Sequence, residues 1–322
     1  MKNHQLRALV AVVDHGSFRG AARVLSLSQT ALTKALHELE RDLGTVLLER
    51  GPQGVRPTPM GAELLPRARL ILSEIDEARR SVRHLLGQEH PRVTVAATPA
   101  FSALCLSDAL ARFHVRYPLA QLSLRDAFLS QTLPMLREGS VDLAITALMP
   151  EILGSDLSFE PLGEIEISLA GQRGRQGPGP HGLSALMERP WLLDSAAAGI
   201  SAVVRRWIAG HGVQAPARTV ECTSSMASMV LSMQTDAVAP VPRAMLPLPW
   251  VASGAEEIAV DVPLPWIAVG IVLRRDRRPE PPVAWFIECA RLALAASALG
   301  RSRPARLAAA PRARPKASKG RA

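Results

Sequence analysis

Between residues 29 and 37 the sequence QTALTKALH sets Thr30, Thr33, Lys34 and His37 apart by three and four positions. In a helix those spacings put side chains on one face. Gln29 opens the run, and Ser28 before it is a residue type that caps helices. The chemistry is that of base-edge recognition. Glutamine pairs bidentately with adenine, threonine donates, accepts or touches a thymine methyl, and lysine reaches guanine or phosphate. A polar helix face is otherwise merely solvated, so its position has to decide. This stripe follows a short helical pattern and a tight turn at Ser26-Leu27, the order that seats a second helix in the major groove of DNA.

Phosphate-binding side chains surround the stripe. Ser17 and Arg19 open the preceding helix, where amides and a hydroxyl suit a phosphate, although Ser17 serves equally as a plain cap. Arg50, Arg56 and Thr58 border Pro52-Gln53-Gly54, a turn that would join two short strands into a wing. Arginines there would grip phosphate or probe the minor groove; a structural ion pair at Arg50 is the alternative.

Three helices must position these groups. Leu6, Leu9, Val10 and Val13 predict the first, stopped at Gly16. The second spans residues 18–25, and the third spans 29–43 with Leu32, Leu36, Leu39 and Leu43 inward and Gly44 as its stop. From 61 to 87 the pattern becomes a heptad seam of Leu64, Ala68, Ile71, Ile75, Ala78, Val82 and Leu85. Such a seam pairs with another helix, a core helix being the alternative, and Pro66 is tolerable only in a first turn.

Residues 91–300 alternate strands and helices. Strands are expected at 92–97, 121–125 and 141–146 with helices at 102–117 and 129–138, an order that implies a parallel sheet with crossover helices. A second set follows, with strands at 165–171, 191–193, 219–222 and 237–240 and helices at 203–211 and 225–233. A strand at 267–274 and a helix at 282–299 return to the first set. Two α/β halves crossed twice by the chain describe a hinged, two-lobed domain.

Charge is a poor guide. The chain of 322 residues carries +9, but residues 301–322 hold eight basic residues and no acid. That tail reads as low-complexity and disordered. No apolar stretch is long enough for a membrane span, no signal peptide is evident, and three scattered cysteines fit a reduced, cytoplasmic setting. Eight histidines form no metal-spaced cluster, no catalytic constellation appears, and no cofactor is expected.

The run GSFRGAARVLSLSQTALTKALHELERDLGTVLLER, followed by GVRPTPMG and a long helix, resembles the N-terminal signature of LysR-type transcriptional regulators. Weaker likeness continues through ARFHVRYPLAQLSL, LREGSVDLAIT, LSFEPL and VAPVPRAML, so it spans residues 4–295. One departure is Thr30, where the family usually has proline at the first helical position; another is the basic tail.

The resemblance implies an α/β fold with an N-terminal all-α winged helix-turn-helix (1–60) and a coiled-coil dimerisation helix (61–89). A two-lobed domain like the periplasmic binding proteins (90–300) follows, with lobe I at about 90–164 and 266–300 and lobe II at about 165–265. It implies a small-molecule effector between the lobes, on Thr98, Pro99, Ala100, Phe128, Gln131 and Thr146 of one lobe and Ala197, Gly199, Ile200, Ser201 and Ser224 of the other. Thr98 and Ser201 are the hydrogen-bonding choices for a carboxylate or aromatic acid. Implied partners are double-stranded promoter DNA, RNA polymerase and further copies of the chain as homodimer and homotetramer. Two rivals remain at this point: an α/β solute-binding protein or enzyme with a helical cap, and a non-specific DNA binder driven by its tail.

Overall fold

The computed structural model describes residues 1–51, 54–177, 179–195 and 198–300. Three helices open the chain, α1 (Asn3–His15), α2 (Phe18–Val24) and α3 (Gln29–Leu43). Gly16 and Gly44 end α1 and α3 in the left-handed conformation. Ser17 Oγ accepts from the Gly20 N–H and Ser28 Oγ from the Ala31 N–H, each at 3.1 Å, so each serine caps the helix it precedes. Leu6, Leu9, Leu32, Leu36 and Leu39 share one small core. Leu43 was expected among them and is exposed instead, because α3 ends on it, past the edge of that core.

The strands β1 (Leu48–Gly51) and β2 (Gly54–Pro57) pair antiparallel as a wing; Pro52 and Gln53 of the expected turn lie outside the described residues. Val55 N–H donates to Gly16 O at 2.9 Å, pinning the wing to the α1–α2 corner. Gly54 makes this approach at φ +104°, where a Cβ would fall 2.7 Å from that same oxygen.

Helix α4 (Pro59–Leu85) follows at once. Thr58 Oγ1 accepts from the Gly61 N–H at 3.1 Å and donates to Val46 O at 2.8 Å. Pro66 is not in the first turn as expected: α4 begins at Pro59 and runs straight through Pro66. The acceptor that loses its donor is the carbonyl of Ala62, an exposed residue where water can replace the bond. Ala68 is buried against the N-terminal core, whereas Val82 and Leu85 further along are exposed.

The rest of the chain folds as β3 (Arg92–Ala97), α5 (Pro99–Leu104), α6 (Leu106–Arg116), β4 (Gln121–Asp126), α7 (Leu129–Arg137) and β5 (Leu143–Ala147). Then come β6 (Leu157–Gln172), α8 (Leu183–Leu186), β7 (Pro190–Leu193), α9 (Ile200–Gly210), β8 (Arg218–Glu221) and α10 (Ser225–Gln234). The chain closes with β9 (Ala239–Pro242), α11 (Pro249–Ala252), β10 (Ala255–Glu257), β11 (Trp266–Arg274) and α12 (Pro281–Ala296). The single helix expected over 102–117 is two, because the backbone at Cys105 (φ −127°) leaves helical geometry between α5 and α6.

β3 pairs in parallel with both β4 and β5. The sheet runs β10-β6-β11-β5-β3-β4, with β9 also on β6 and a separate parallel pair β7-β8. β6 is far longer than the expected 165–171. It pairs with β11 from Leu157 to Glu166, then with β9 and β10 over residues 167–172. One continuous strand thus carries the chain from the first lobe into the second, and β11 brings it back. Helix α4 is tied to the first lobe by Ser73 Oγ, donating to Gly139 O at 2.6 Å, and by Arg274 to Glu74 at 2.9 Å. Arg69 bridges Asp14 of α1 and Glu138 after α7.

Candidate DNA-reading face and inter-lobe cleft

On α3 the buried residues Leu32, Ala35, Leu36 and Leu39 fix which side faces solvent. The opposite side presents Gln29, Thr30, Lys34 and His37 exposed and Thr33 half-buried, and all five line one open groove. Glu38 and Arg41 line it too. Arg41 went unnoticed in the sequence, although it stands four residues after His37 and so continues the stripe. Gln29 is the first helical residue and Thr30 the second.

The flanking groups divide. Arg19 and Arg56 are exposed, and Arg56 sits opposite Glu49 in the wing register. The Arg50 guanidinium lies 4.4 Å from the Phe18 ring centroid, a cation–π contact that fixes the side chain beside α2. Thr58 spends its hydroxyl on the α4 cap and the Val46 carbonyl, so its place is at the joint between wing and linker.

The second site is a cavity of about 380 Å³ where the parallel strands β3, β4 and β5 end at their carboxyl termini. Ligands of open α/β sheets bind at such ends. Thr98, Pro99, Ala100, Phe128, Thr146, Gly199, Ile200 and Ser201 all line it. Gln131 and Ser224 are exposed and do not appear in the lining; Ser224 caps α10 by accepting from the Ala227 N–H at 3.3 Å. Ala197 lies outside the described residues. Ser201 is buried and its Oγ accepts from the Asp194 N–H at 3.0 Å, so its hydroxyl is already engaged within its lobe.

Many lining residues were missed, among them the polar or aromatic Asp126, Asp194, Ser102 and Trp250. Asp126 ends β4 and Asp194 follows β7, so strand boundaries were the available signal. Ser225 Oγ donates to Asp126 Oδ2 at 3.3 Å, a hydrogen bond that crosses the cleft from lobe to lobe. Desolvation raises the Asp126 carboxyl above the ordinary carboxylate value, partly offset by that bond. Burial likewise pushes up the thiol of Cys222, which lines the cavity as an unreactive group. Among the described residues no cluster of three or more histidines, cysteines or carboxylates is placed to hold a metal ion, and no helix is long and apolar enough to cross a membrane.

A winged helix-turn-helix joined by a long helix to a hinged, two-lobed α/β binding domain defines a class of bacterial regulators. Residues 3–62 match the family described as bacterial regulatory helix-turn-helix protein, lysR family, and residues 86–295 match the LysR substrate binding domain. The chain belongs to the LysR family. It is similar to the transcriptional regulator TdcA of Escherichia coli K12, 31% identical over 60% of this chain and 62% of that protein. The match therefore spans about three fifths of that relative's length. PcaQ of Agrobacterium fabrum is 26% identical over 90% of this chain and 94% of its own. Among solved structures, the LysR family regulator CbnR superposes with a TM-score of 0.67 at 23% identity, covering 91% of this chain and 99% of CbnR. CbnR complexed with its target DNA gives 0.65 at 23% identity, covering 91% of this chain and all of that one.

Proposed function

We propose that this protein is a sequence-specific transcriptional regulator that reads promoter DNA with α3 and the β1–β2 wing and answers a small molecule held between its lobes. The carrying observation is the groove on α3, which Gln29, Thr30, Thr33, Lys34 and His37 all line while Leu32, Ala35, Leu36 and Leu39 are buried on the other side. CbnR, whose fold this chain shares, has been seen bound to target DNA. The acting units are residues 1–60 for DNA, 61–89 for pairing and 90–300 for the effector. The protein works in the cytoplasm by binding, not turnover, on a metabolic operon, with RNA polymerase as its downstream partner.

Pairing through α4 makes a homodimer, and two dimers make a tetramer. The exposed Val82 and Leu85 favour this reading, since an apolar seam left in water is a surface awaiting a partner. Effector binding then biases lobe closure, and closure alters the spacing of the DNA-reading pairs. The test is a footprint on upstream DNA with and without ligand. Protection of a palindromic site that changes with ligand is the expected result; no preferred site overturns the reading. Thr98→Val, at the cleft wall, is expected to blunt the ligand response and leave DNA affinity unchanged in the same assay.

A further inference from the structure

Helix α7 spans the distance between the inter-lobe cleft and the linker helix. Its nine residues rise roughly 13 Å at the α-helical spacing. At the cleft end, its cap Phe128 and its first residue Leu129 both line the cavity. The second lobe rests on that end. Ala198 is buried in the same apolar cluster as Leu129, Leu133 and Leu136 of α7, and its carbonyl accepts from the Met149 N–H of the first lobe at 3.0 Å. A Cβ on the next residue, Gly199, would lie 3.9 Å from Leu129 Cβ, an ordinary van der Waals contact. Movement of the 198–199 corner on lobe closure is therefore delivered to the start of α7, because close-packed side chains transmit displacement instead of absorbing it.

The other end of α7 is seated on α4. Gly139 stops the helix in the left-handed conformation, and the Ser140 N–H returns to Met135 O at 2.9 Å, the hydrogen bond of a Schellman stop. That stop fits closely on the linker helix. A Cβ at Gly139 would lie 3.0 Å from Ser73 Oγ and 3.1 Å from Leu70 Cδ1, and Ser73 Oγ donates to the Gly139 carbonyl. Beside it Arg69 Nη1 donates to Glu138 Oε1 at 2.7 Å. The two side chains are only 28% and 19% exposed, so salt screens the pair less than it screens a surface bridge.

Arg69 has a second partner. Its Nη2 donates to Asp14 in the last turn of α1, two residues before Gly16, whose carbonyl accepts from the wing N–H of Val55. One guanidinium thus joins the far end of α7 to the corner that carries α2 and the wing. Arginine suits this place because its planar fork offers separate N–H groups to two carboxylates at once, where lysine offers a single point of charge. The heptad residues Ile71, Ile75, Ala78 and Val82 fall on a different side of α4 from Arg69 and Ser73, so the joint leaves the proposed pairing seam free.

We propose that α7 couples the two-lobed domain to the DNA-reading unit within one protomer, and that Arg69 is the positioning residue that makes the connection. This rests on α3 being the DNA-reading helix. With Arg69 in place, the end of α7 and the corner between α1 and the wing hold a fixed relation to each other. Without it, Asp14 and Glu138 lose the cation they share, and only the α4 side of the joint remains. Coupling between two sites is reciprocal, so DNA seated on α3 and the wing restrains α7 just as lobe closure repositions the wing.

The experiment is hydrogen–deuterium exchange, read by mass spectrometry, on the full-length protein alone and with the upstream duplex of the footprint. In the wild type the duplex is expected to slow exchange in α3 and also in α7, the latter by about five-fold, the low end of allosteric coupling factors. Arg69→Ala and Glu138→Ala are each expected to keep the slowing at α3, which certifies a folded, DNA-bound variant, and to lose it at α7. Arg7→Ala tests for a merely structural effect. It removes another tie between α1 and α4, the ion pair of Arg7 with Asp76 at 2.9 Å, which involves no residue of α7, and the slowing at α7 should survive it. Slowing at α3 with none at α7 in the wild type overturns the proposal and leaves the DNA reading intact. Slowing at α7 that persists in Arg69→Ala and Glu138→Ala overturns it too, as does its loss in Arg7→Ala. No slowing at α3 removes the DNA reading, and this proposal with it.

Discussion

Lys34 stands exposed near the middle of the α3 stripe, with no structural duty that would make its loss unfold the chain. Lys34→Ala and Thr33→Ala are each expected to weaken operator binding about ten- to hundred-fold, the cost of losing one base contact of about 1–3 kcal/mol. The melting temperature should stay at the wild-type value. Fluorescence anisotropy on operator and scrambled duplexes, with a melt of each variant, checks both. An unchanged affinity in both variants moves the reading surface elsewhere. At the cleft, Asp126 has a folded pKa raised by desolvation from its ordinary 3.8, against the pull of Ser225. Its ionised form is thus penalised by folding. The sign follows: this group favours the fold most below the unfolded pKa, and that contribution is lost as pH rises from 3.8 through the raised folded value. Replacing it by asparagine should therefore leave stability at low pH nearly unchanged and raise it modestly at neutral pH, as urea titrations at several pH values will read. These residues were unequally legible. The α3 stripe could be read because a helix of period 3.6 sorts polar from apolar positions. Asp126 could not, because only the way β4 ends beside β3 and α10 turns that aspartate toward the cleft.

Elements were readable where local signals agreed and unreadable where tertiary pairing overrode them. The bounds of α3 follow from Ser28 and Gly44 alone, which supply its two caps. The first half of β6 was invisible because Pro161, Gly163 and Glu160 interrupt any alternation. It is a strand because β11 lies along it with a register shift at Val269/Gly270, a bulge that absorbs the irregular stretch. Pro66 was misplaced for the converse reason: propensity forbids it mid-helix, yet α4 continues, held by its neighbours. Pro66→Ala restores an N–H for the Ala62 carbonyl and is expected to stabilise the fold by about 1–3 kcal/mol, up to the helix-interior cost of proline. Gly61 gives the opposite sign. A Cβ there would meet Leu47 O at 2.0 Å, so Gly61→Ala must push α4 away from the wing. A loss of about 1–3 kcal/mol, the usual cost of forced overpacking, should appear in urea unfolding. Equal stability would mean the wing and α4 are not in register as described.

At the scale of the whole molecule, the proposed DNA binding has two separable basic regions to draw on. One is the winged unit, where residues 1–60 hold eight basic and five acidic side chains. The other is the run from 301 to 322, whose eight basic residues account for nearly all of the chain's +9; its predicted disorder falls outside the described residues. A basic run acts on phosphates without reading bases, and each neutralised phosphate adds about 0.9 to the slope of log affinity against log salt. Deleting residues 301–322 should therefore flatten the salt dependence on any duplex and weaken scrambled DNA most at low salt. The α3 groove is untouched by that deletion, so on the proposed reading the ratio of operator to scrambled affinity should hold or rise. On the proposed pairing, α4 supplies the second half-site, and Leu85→Asp, which puts a charge into the exposed seam, should halve the mass seen by light scattering and cost operator affinity without changing scrambled binding by one protomer. Measured together across a salt series, the two variants assign the parts. A deletion that removes operator preference, with the mass unchanged, would make the tail the DNA-binding element and leave the α3 groove without its proposed use.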